Sequence, residues 1–439
     1  MPTRPARSLF AGTALLPDGW ARNVLIRYRL ADGQITAVQC NAKPEADDVV
    51  SIAIPGMPNL HSHAFQRVMA GRAERSGGTD DSFWTWRQTM YELVSRLDPD
   101  QVEAIAAQLY AELLCAGYTS VAEFHYIHNR PDGGRYDVPA ELALRVARAA
   151  RTAGIGLTLL PVVYTRAGFD GAALGPAQQR FRADVEFAVA VGEAVAAASD
   201  GAVAQQTGLA LHSLRAVAQP QVDAAISAID SRDARAPIHI HIAEQVREVS
   251  DCFEWSGATP VDWLVDNAPV DARWCLVHAT NVTEQEISRV AASGAVVGLC
   301  PTTEANLGDG LFPLHPFLEL GGRFGVGSDS HVSVSPAEEL RWLEYGQRLL
   351  ARKRLVAASD TGQSVGARLW RSALAGGAQA LGQAVGAIAA HHRADILVLD
   401  PAHPLLCGRS GDDILDALIF AGDGGLISRV LSGGAWVVE

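Results

Sequence analysis

Short apolar, β-branched runs recur along the chain and alternate with longer stretches in which Ala, Leu and Arg repeat at helical period. In order, the strand-like runs are "SIAIPGM", "TSVAEFHY", "IGLTLLPVVY", "GLALHS", "PIHIHIAE", "RWCLVHA", "AVVGLCP" and "RFGVGSD". Helical patterns such as "DPDQVEAIAAQLYAELLCAG" and "VPAELALRVARAARTAG" lie between several of them. The first has an Asp near its start and a Gly at its end, as caps require. Strand–helix alternation repeated eight times predicts an α/β fold, a (β/α)8 TIM-like barrel.

The two ends break the alternation. Residues 1–54 contain "NVLIRYRLADGQITAVQC", a hairpin pattern with an Asp-Gly turn. Residues 385–439 contain "RADILVLDPAH" and "LISRVLSGGAWVVE", again strand-like with turn glycines. Each piece is too small to hold a good core alone. The expectation is a barrel over residues 55–384 beside one small β-sandwich domain that both termini build. The length of 439 residues suits a large barrel plus such a unit.

Composition narrows the function classes. Hydrophobic residues make up 48% and charged residues 19%, as in a protein with a sizeable core. The formal charge is 36 − 49 = −13, which argues against non-specific nucleic-acid binding but leaves room for a small anion gripped by local arginines. The cysteines at 40, 115, 252, 275, 300 and 407 form no CxxC pair and read as reduced thiols of a cytoplasmic protein. The first twenty residues lack the apolar core of a signal peptide, and no stretch is apolar enough to span a membrane.

In such barrels the chemistry sits at the C-terminal ends of the strands. His61 and His63 end the first run; residues two apart on a strand point to one side, so both imidazoles can converge on a metal. The same two histidines read equally as a polar strand end. Glu123, His125 and Tyr126 end the second strand, His212 and Arg215 the fourth. His239, His241 and Glu244 follow the fifth, His278 the sixth and Asp329 the eighth. Taken singly, Glu244 is also a favourable helix-start carboxylate, and His278 a satisfied core histidine. Taken together in barrel order, those bland readings lose ground. Neutral imidazoles with one carboxylate suit Zn²⁺ or Fe²⁺.

The ordered set "HSH", "HIAE", "VHA" and "GSDS" resembles the amidohydrolase superfamily of metal-dependent hydrolases, over nearly the whole chain. The resemblance implies one divalent metal held by His61, His63, His241 and Asp329. His241 is preferred to His239 because its spacing to Glu244 matches the H-x-A-E pattern of the deaminase branch. Two-metal members usually bridge their ions with a carboxylated lysine, and neither Lys43 nor Lys353 lies at an expected strand end. In the implied mechanism the metal lowers the pKa of a water. Asp329 and His278 accept its proton, and Glu244 shuttles a proton to the leaving nitrogen.

The substrate is read from the loops. "DDSFWTWRQTMYELV" carries Arg87 among Phe83, Trp84, Trp86 and Tyr91, and its plain reading is an amphipathic helix with core aromatics. A guanidinium grips a carboxylate with two parallel hydrogen bonds, so Arg87 and Arg215 near one metal suggest a small dicarboxylate. "MPNLHSHAFQRVMAG", "FWTWRQTMY", "EFHYIH", "LHSLRAV", "HIHIAEQ" and "GSDSHVS" are similar to the N-formimino-L-glutamate deiminases of bacterial histidine degradation. That family converts its substrate and water to N-formyl-L-glutamate and ammonia. The resemblance implies that Gln66, Tyr126, His212 and Arg215 contact one end of the glutamate moiety and Arg87 the other. Relatives of this kind are often dimers, so a homodimer is one assembly the resemblance allows; the acidic balance and the lack of a long apolar stretch leave no nucleic-acid or membrane partner expected. A purine or pterin deaminase of the same fold, and a scaffold that has lost its chemistry, are the alternatives.

Overall fold

The computed structural model describes residues 6–75, 83–199 and 205–439. Eight strands form a parallel barrel: β5 (Met57–Ser62), β6 (Tyr118–His125), β7 (Gly156–Val163), β9 (Leu209–Leu211), β10 (Ile238–Ile242), β11 (Trp274–His278), β12 (Val296–Leu299) and β13 (Arg323–Val326). A short extra strand, β8 (Gln205–Thr207), pairs with β7. Almost every residue of the barrel strands is buried, which explains why they read as continuous apolar runs. The ring closes at its C-terminal edge, where Ser62 bridges Asp329. The helix Pro99–Ala116 between β5 and β6 starts on Asp98, whose side chain accepts the Gln101 N–H, and ends on Gly117 in the left-handed conformation.

The termini form a second sheet in the order β16-β15-β14-β4-β1-β2-β3. Its strands are β1 (Ala6–Leu16), β2 (Gly19–Arg29), β3 (Ile35–Gln39), β4 (Asp48–Pro55), β14 (Ile396–Leu399), β15 (Ile427–Ser432) and β16 (Ala435–Val438). It has a small core of its own around Leu9, Val24, Ile26, Tyr28, Ile396 and Leu431. The Asp-Gly hairpin is present between β2 and β3. β1 was not expected from the sequence; it pairs with β2 across a turn at Pro17 and Asp18 and runs parallel to β4.

The run "SIAIPGM" divides between the two sheets. Its first five residues belong to β4 of the terminal sheet, and the first barrel strand begins at Met57. The chain changes sheets at Gly56, whose N–H donates to Asp395 O, while Met57 N–H donates to Gly117 O. An unbroken apolar run carries no mark of that handover.

The helix Val365–Leu381 seals the N-terminal end of the barrel. His239 Nε2 donates to Ala380 O at 2.8 Å, and Thr158 Oγ1 donates to Leu381 O at 2.8 Å. His239 therefore packs below His241, away from the C-terminal rim. The helix meets β13 closely enough that a Cβ on Gly376 would lie 1.9 Å from Phe324 O. Gly376→Ala is expected to destabilise the fold by about 1–3 kcal/mol through overpacking. A thermal melt checks this, and an unchanged midpoint would show that helix and strand are free to separate. Among the described residues, no helix is long and apolar enough to cross a membrane.

Candidate active site

At the barrel's C-terminal edge, β5 delivers two histidines to one point. His61 is the fifth residue of the strand, and His63 follows its end. His63 Nδ1 donates to Phe124 O and His241 Nδ1 to His212 O, both at 2.9 Å. A carbonyl only accepts, so both neutral rings keep the lone pair on Nε2. Those two Nε2 atoms face His61 Nε2 at 3.1 and 3.0 Å. A single proton on His61 Nε2 satisfies one lone pair, not two. Asp329 Oδ1 completes the cluster, 3.4 Å from Nε2 of both His61 and His63.

A cation ~2.0–2.1 Å from each imidazole nitrogen, in tetrahedral array, would space them about 3.3 Å apart. The donor types and their spacing thus suit a divalent metal, and the buried groups close enough to share one are His61 with His63 and Asp329, and His61 with His241 and His278. Burial lowers the pKa of His61 to about 3 and depresses His63 and His241 as well, which leaves these rings neutral and free to ligate. Burial opposes ionisation of Asp329, but His61, His278 and His63 outweigh it and hold the carboxyl below its usual range.

Next to this cluster stand Glu244 and His278. His278 Nε2 lies 3.9 Å from both Glu244 Oε1 and Asp329 Oδ2. Burial raises Glu244, helped by repulsion from Asp329 and Glu248. His278 rises despite burial, because Glu244, Glu304 and Asp329 surround it. A carboxyl shifted up toward neutrality is suited to taking and returning a proton. Ala243, His278, Ala279 and Asp329 all have φ between +44° and +69°, a conformation that costs non-glycine residues about 1–3 kcal/mol each. These turns aim the side chains across the rim of the barrel.

All the expected site residues except His61, which lies fully buried beneath, line a single cavity: His63, Gln66, Arg87, Tyr126, His212, Arg215, His241, Glu244, His278 and Asp329. Gln66 Nε2 donates to the Tyr126 hydroxyl at 2.8 Å. His212 is kept neutral by burial and by Arg215 beside it. Arg87 lies on the helix Phe83–Val94, 4.5 Å above the Trp84 ring, and Arg215 approaches the same ring at 5.6 Å. That helix also buries Phe83, Met90 and Val94, so it is at once core and cavity wall. Residues 80–82 of the expected aromatic loop lie outside the described residues. His125 is buried against His128 and is not among the cavity residues.

A family model described as "Amidohydrolase family" matches residues 52–437. The chain belongs to the amidohydrolase family. Within this amidohydrolase, a second model described as "Formimidoylglutamate deiminase HutF, N-terminal domain" matches residues 6–50. The chain is 53% identical to a formimidoylglutamate deiminase of Pseudomonas aeruginosa, over 98% of its own length and 94% of the relative. An amidohydrolase from Brucella melitensis of known crystal structure shares 45% identity, with a TM-score of 0.93 and coverage of 99% and 95%. An adenosine deaminase from Xanthomonas campestris, solved with bound zinc, shares the fold: TM-score 0.79 at 21% identity, covering 98% of this chain and 92% of that one. The family is metal-dependent, and the His/Asp cluster of this amidohydrolase could hold a metal ion.

Three further carboxylates surround the site, and their positions along the chain do not assign them a role. Glu304 faces His278 Nδ1 at 3.4 Å and accepts the Cys300 N–H; its place just after β12 was the available signal. Glu248 lies fully buried behind Arg215. Glu123, noted only as a strand end, accepts Ser62 Oγ at 2.6 Å and Ala64 N–H at 2.7 Å, so it brackets His63 from both sides. Supporting groups of this kind are worth roughly 10–100-fold in metal affinity. Glu123→Gln, with one oxygen replaced by a donor, is expected to weaken metal binding by about that factor. Chelator competition measures it, and unchanged affinity would make Glu123 a purely structural carboxylate.

Proposed function

We propose that this amidohydrolase catalyses the hydrolytic deimination of N-formimino-L-glutamate to N-formyl-L-glutamate and ammonia, a step of histidine degradation. The observation that carries this reading is the placement of Arg87 and Arg215 in the same cavity as the His/Asp cluster. A neutral heterocycle has no use for two guanidinium groups there, whereas a glutamate moiety presents two carboxylates. The formimidoylglutamate deiminase relative supports the same substrate.

In this reading Arg87 and Arg215 hold the two carboxylates, and Gln66, Tyr126 and His212 contact the glutamate moiety. That grip points the formimino carbon toward Asp329, His278 and Glu244. A divalent metal, Zn²⁺ with Fe²⁺ as the other candidate, would be held by His61, His63, His241 and Asp329 and would supply Lewis acidity that activates a water. Asp329 takes the proton that the attacking water gives up, and His278 beside it holds that water in place. With the formimino group protonated as its amidinium, Glu244 hands a proton to the amino nitrogen of the tetrahedral carbon, the C–N bond breaks with loss of ammonia, and the remaining hydroxyl proton returns to Glu244 as the formyl C=O forms. The metal-site residues and this division of roles are part of the proposal. So are a cytoplasmic location, a homodimeric assembly, and a small dicarboxylate as the partner in place of nucleic acid or membrane.

The decisive experiment is a product analysis by NMR with metal-loaded protein and N-formimino-L-glutamate. Ammonia with N-formylglutamate is the expected outcome. Formamide with glutamate would reverse the leaving-group assignment, and no turnover would redirect the search to heterocycles. Arg87→Ala and Arg215→Ala are each expected to raise KM about 10–100-fold, the worth of a charge-assisted bond, with normal metal content. Loss of metal in step with activity would remove their binding role. Glu244→Gln should keep its metal and lose about 10²–10⁴ in kcat; an active variant would refute the proton transfer.

A further inference from the structure

Glu248 is the third residue of the helix Val246–Ser256, which starts directly after Glu244 and Gln245. It is fully buried. Its two oxygens face two different parts of the site. Oε2 accepts the backbone N–H of Glu244 at 3.2 Å. Oε1 faces Nε of Arg215 across 3.9 Å, and neither of those two atoms has a hydrogen-bond partner among the described residues.

The surroundings make both contacts consequential. Glu244 follows Ala243, whose φ of +51° turns the chain so that the Glu244 side chain enters the cavity. That turn is pinned at both ends, by Glu248 on the Glu244 N–H and by Asn281 Nδ2, which donates to Glu244 O at 2.7 Å. Arg215 is equally constrained: it is buried, lines the cavity, and among the described residues has no acidic partner nearer than Glu248. A buried guanidinium without a counter-charge is strongly disfavoured. An acidic residue at the third helical position often does no more than cap the helix, and Glu248 fits that ordinary role as well. Capping alone, however, does not account for an oxygen turned toward Arg215.

We propose that Glu248 is a positioning residue that couples the substrate grip to proton transfer: one carboxylate orients Arg215 through Oε1 and the backbone of Glu244 through Oε2. Capture of a substrate carboxylate by the outer nitrogens of Arg215 fixes the guanidinium plane. Nε then has Glu248 as its acceptor, and the strain reaches Glu244 through a single rigid group. Binding energy spent on a remote carboxylate is thereby felt at the reacting end, where it raises kcat. The inference rests on the deiminase reading for the identity of the substrate.

The test uses the full-length, metal-loaded enzyme and the variants Glu248→Gln, Glu248→Asp, Arg215→Ala and the double variant Arg215→Ala/Glu248→Gln. Glu248→Gln is expected to raise KM and lower kcat, each about tenfold, with metal content unchanged. Glu248→Asp, which keeps the charge, should recover part of both. In the double variant KM should be no worse than in Arg215→Ala alone, while the kcat loss through Glu244 persists. Calorimetric binding of glutarate probes the Arg215 arm without turnover and should weaken in Glu248→Gln as in Arg215→Ala. A wild-type enzyme inactive on N-formimino-L-glutamate would defeat the functional reading, while glutarate affinity would still decide the coupling. If an active wild type is matched within twofold by Glu248→Gln, with only its melting temperature lowered, Glu248 is a helix cap and the inference fails. Multiplicative KM effects in the double variant would equally overturn it.

Discussion

The site depends on how the barrel closes. β5 and β13 are the first and last strands of the ring, and they meet through main-chain bonds at the rim: Asp329 N–H to His61 O at 3.0 Å, and His63 N–H to Asp329 O at 3.3 Å. Three of the four residues proposed to hold the metal, His61, His63 and Asp329, therefore sit where the barrel closes. Their relative positions are set by peptide groups, with flexible side chains contributing only the last few ångströms. Asp329 adopts a left-handed backbone to make both bonds. A closure of this kind joins stability to chemistry, because anything that opens the β5–β13 seam also separates His61, His63 and Asp329.

A second organising feature is the segregation of charge. The chain carries a net charge of −13, yet the cavity holds Arg87 and Arg215 at the side that also borders an outer cleft. The acidic groups Glu244, Glu304 and Asp329 collect around His278 at the other side. In a low-dielectric pocket such local arrangement outweighs the net field. It matches a molecule that is anionic at one end and presents a basic nitrogen at the other.

Much of this was legible in the sequence because barrel geometry converts strand ends into neighbours. His61, His63, His241, His278 and Asp329 lie far apart along the chain, and knowing that they end parallel strands was enough to bring them together. Arg87 and Arg215 were legible for a different reason: a guanidinium beside a candidate metal site has a restricted set of uses. The first barrel strand was misplaced because the run from Ser51 to Met57 is apolar on both sides of Gly56, and burial in either sheet produces the same pattern. β1 escaped notice since its burial follows no clean two-residue alternation. Glu248 was invisible for a deeper reason. A carboxylate in the first turn of a helix looks the same in sequence whether it faces water or a buried arginine.

The helix that seals the N-terminal end has a kinetic consequence. His239 and Thr158 are bonded to the end of Val365–Leu381, so that helix covers the barrel at the end opposite the cavity. In the proposed reaction ammonia is released at the inner end, behind a product still clasped by Arg87 and Arg215. On that reading the small molecule would form deep and the large one would sit between it and the rim. Departure of the formylated amino acid, or at least loosening of one arginine clasp, then precedes escape of ammonia, and the grip that accelerates the chemistry also times the exit.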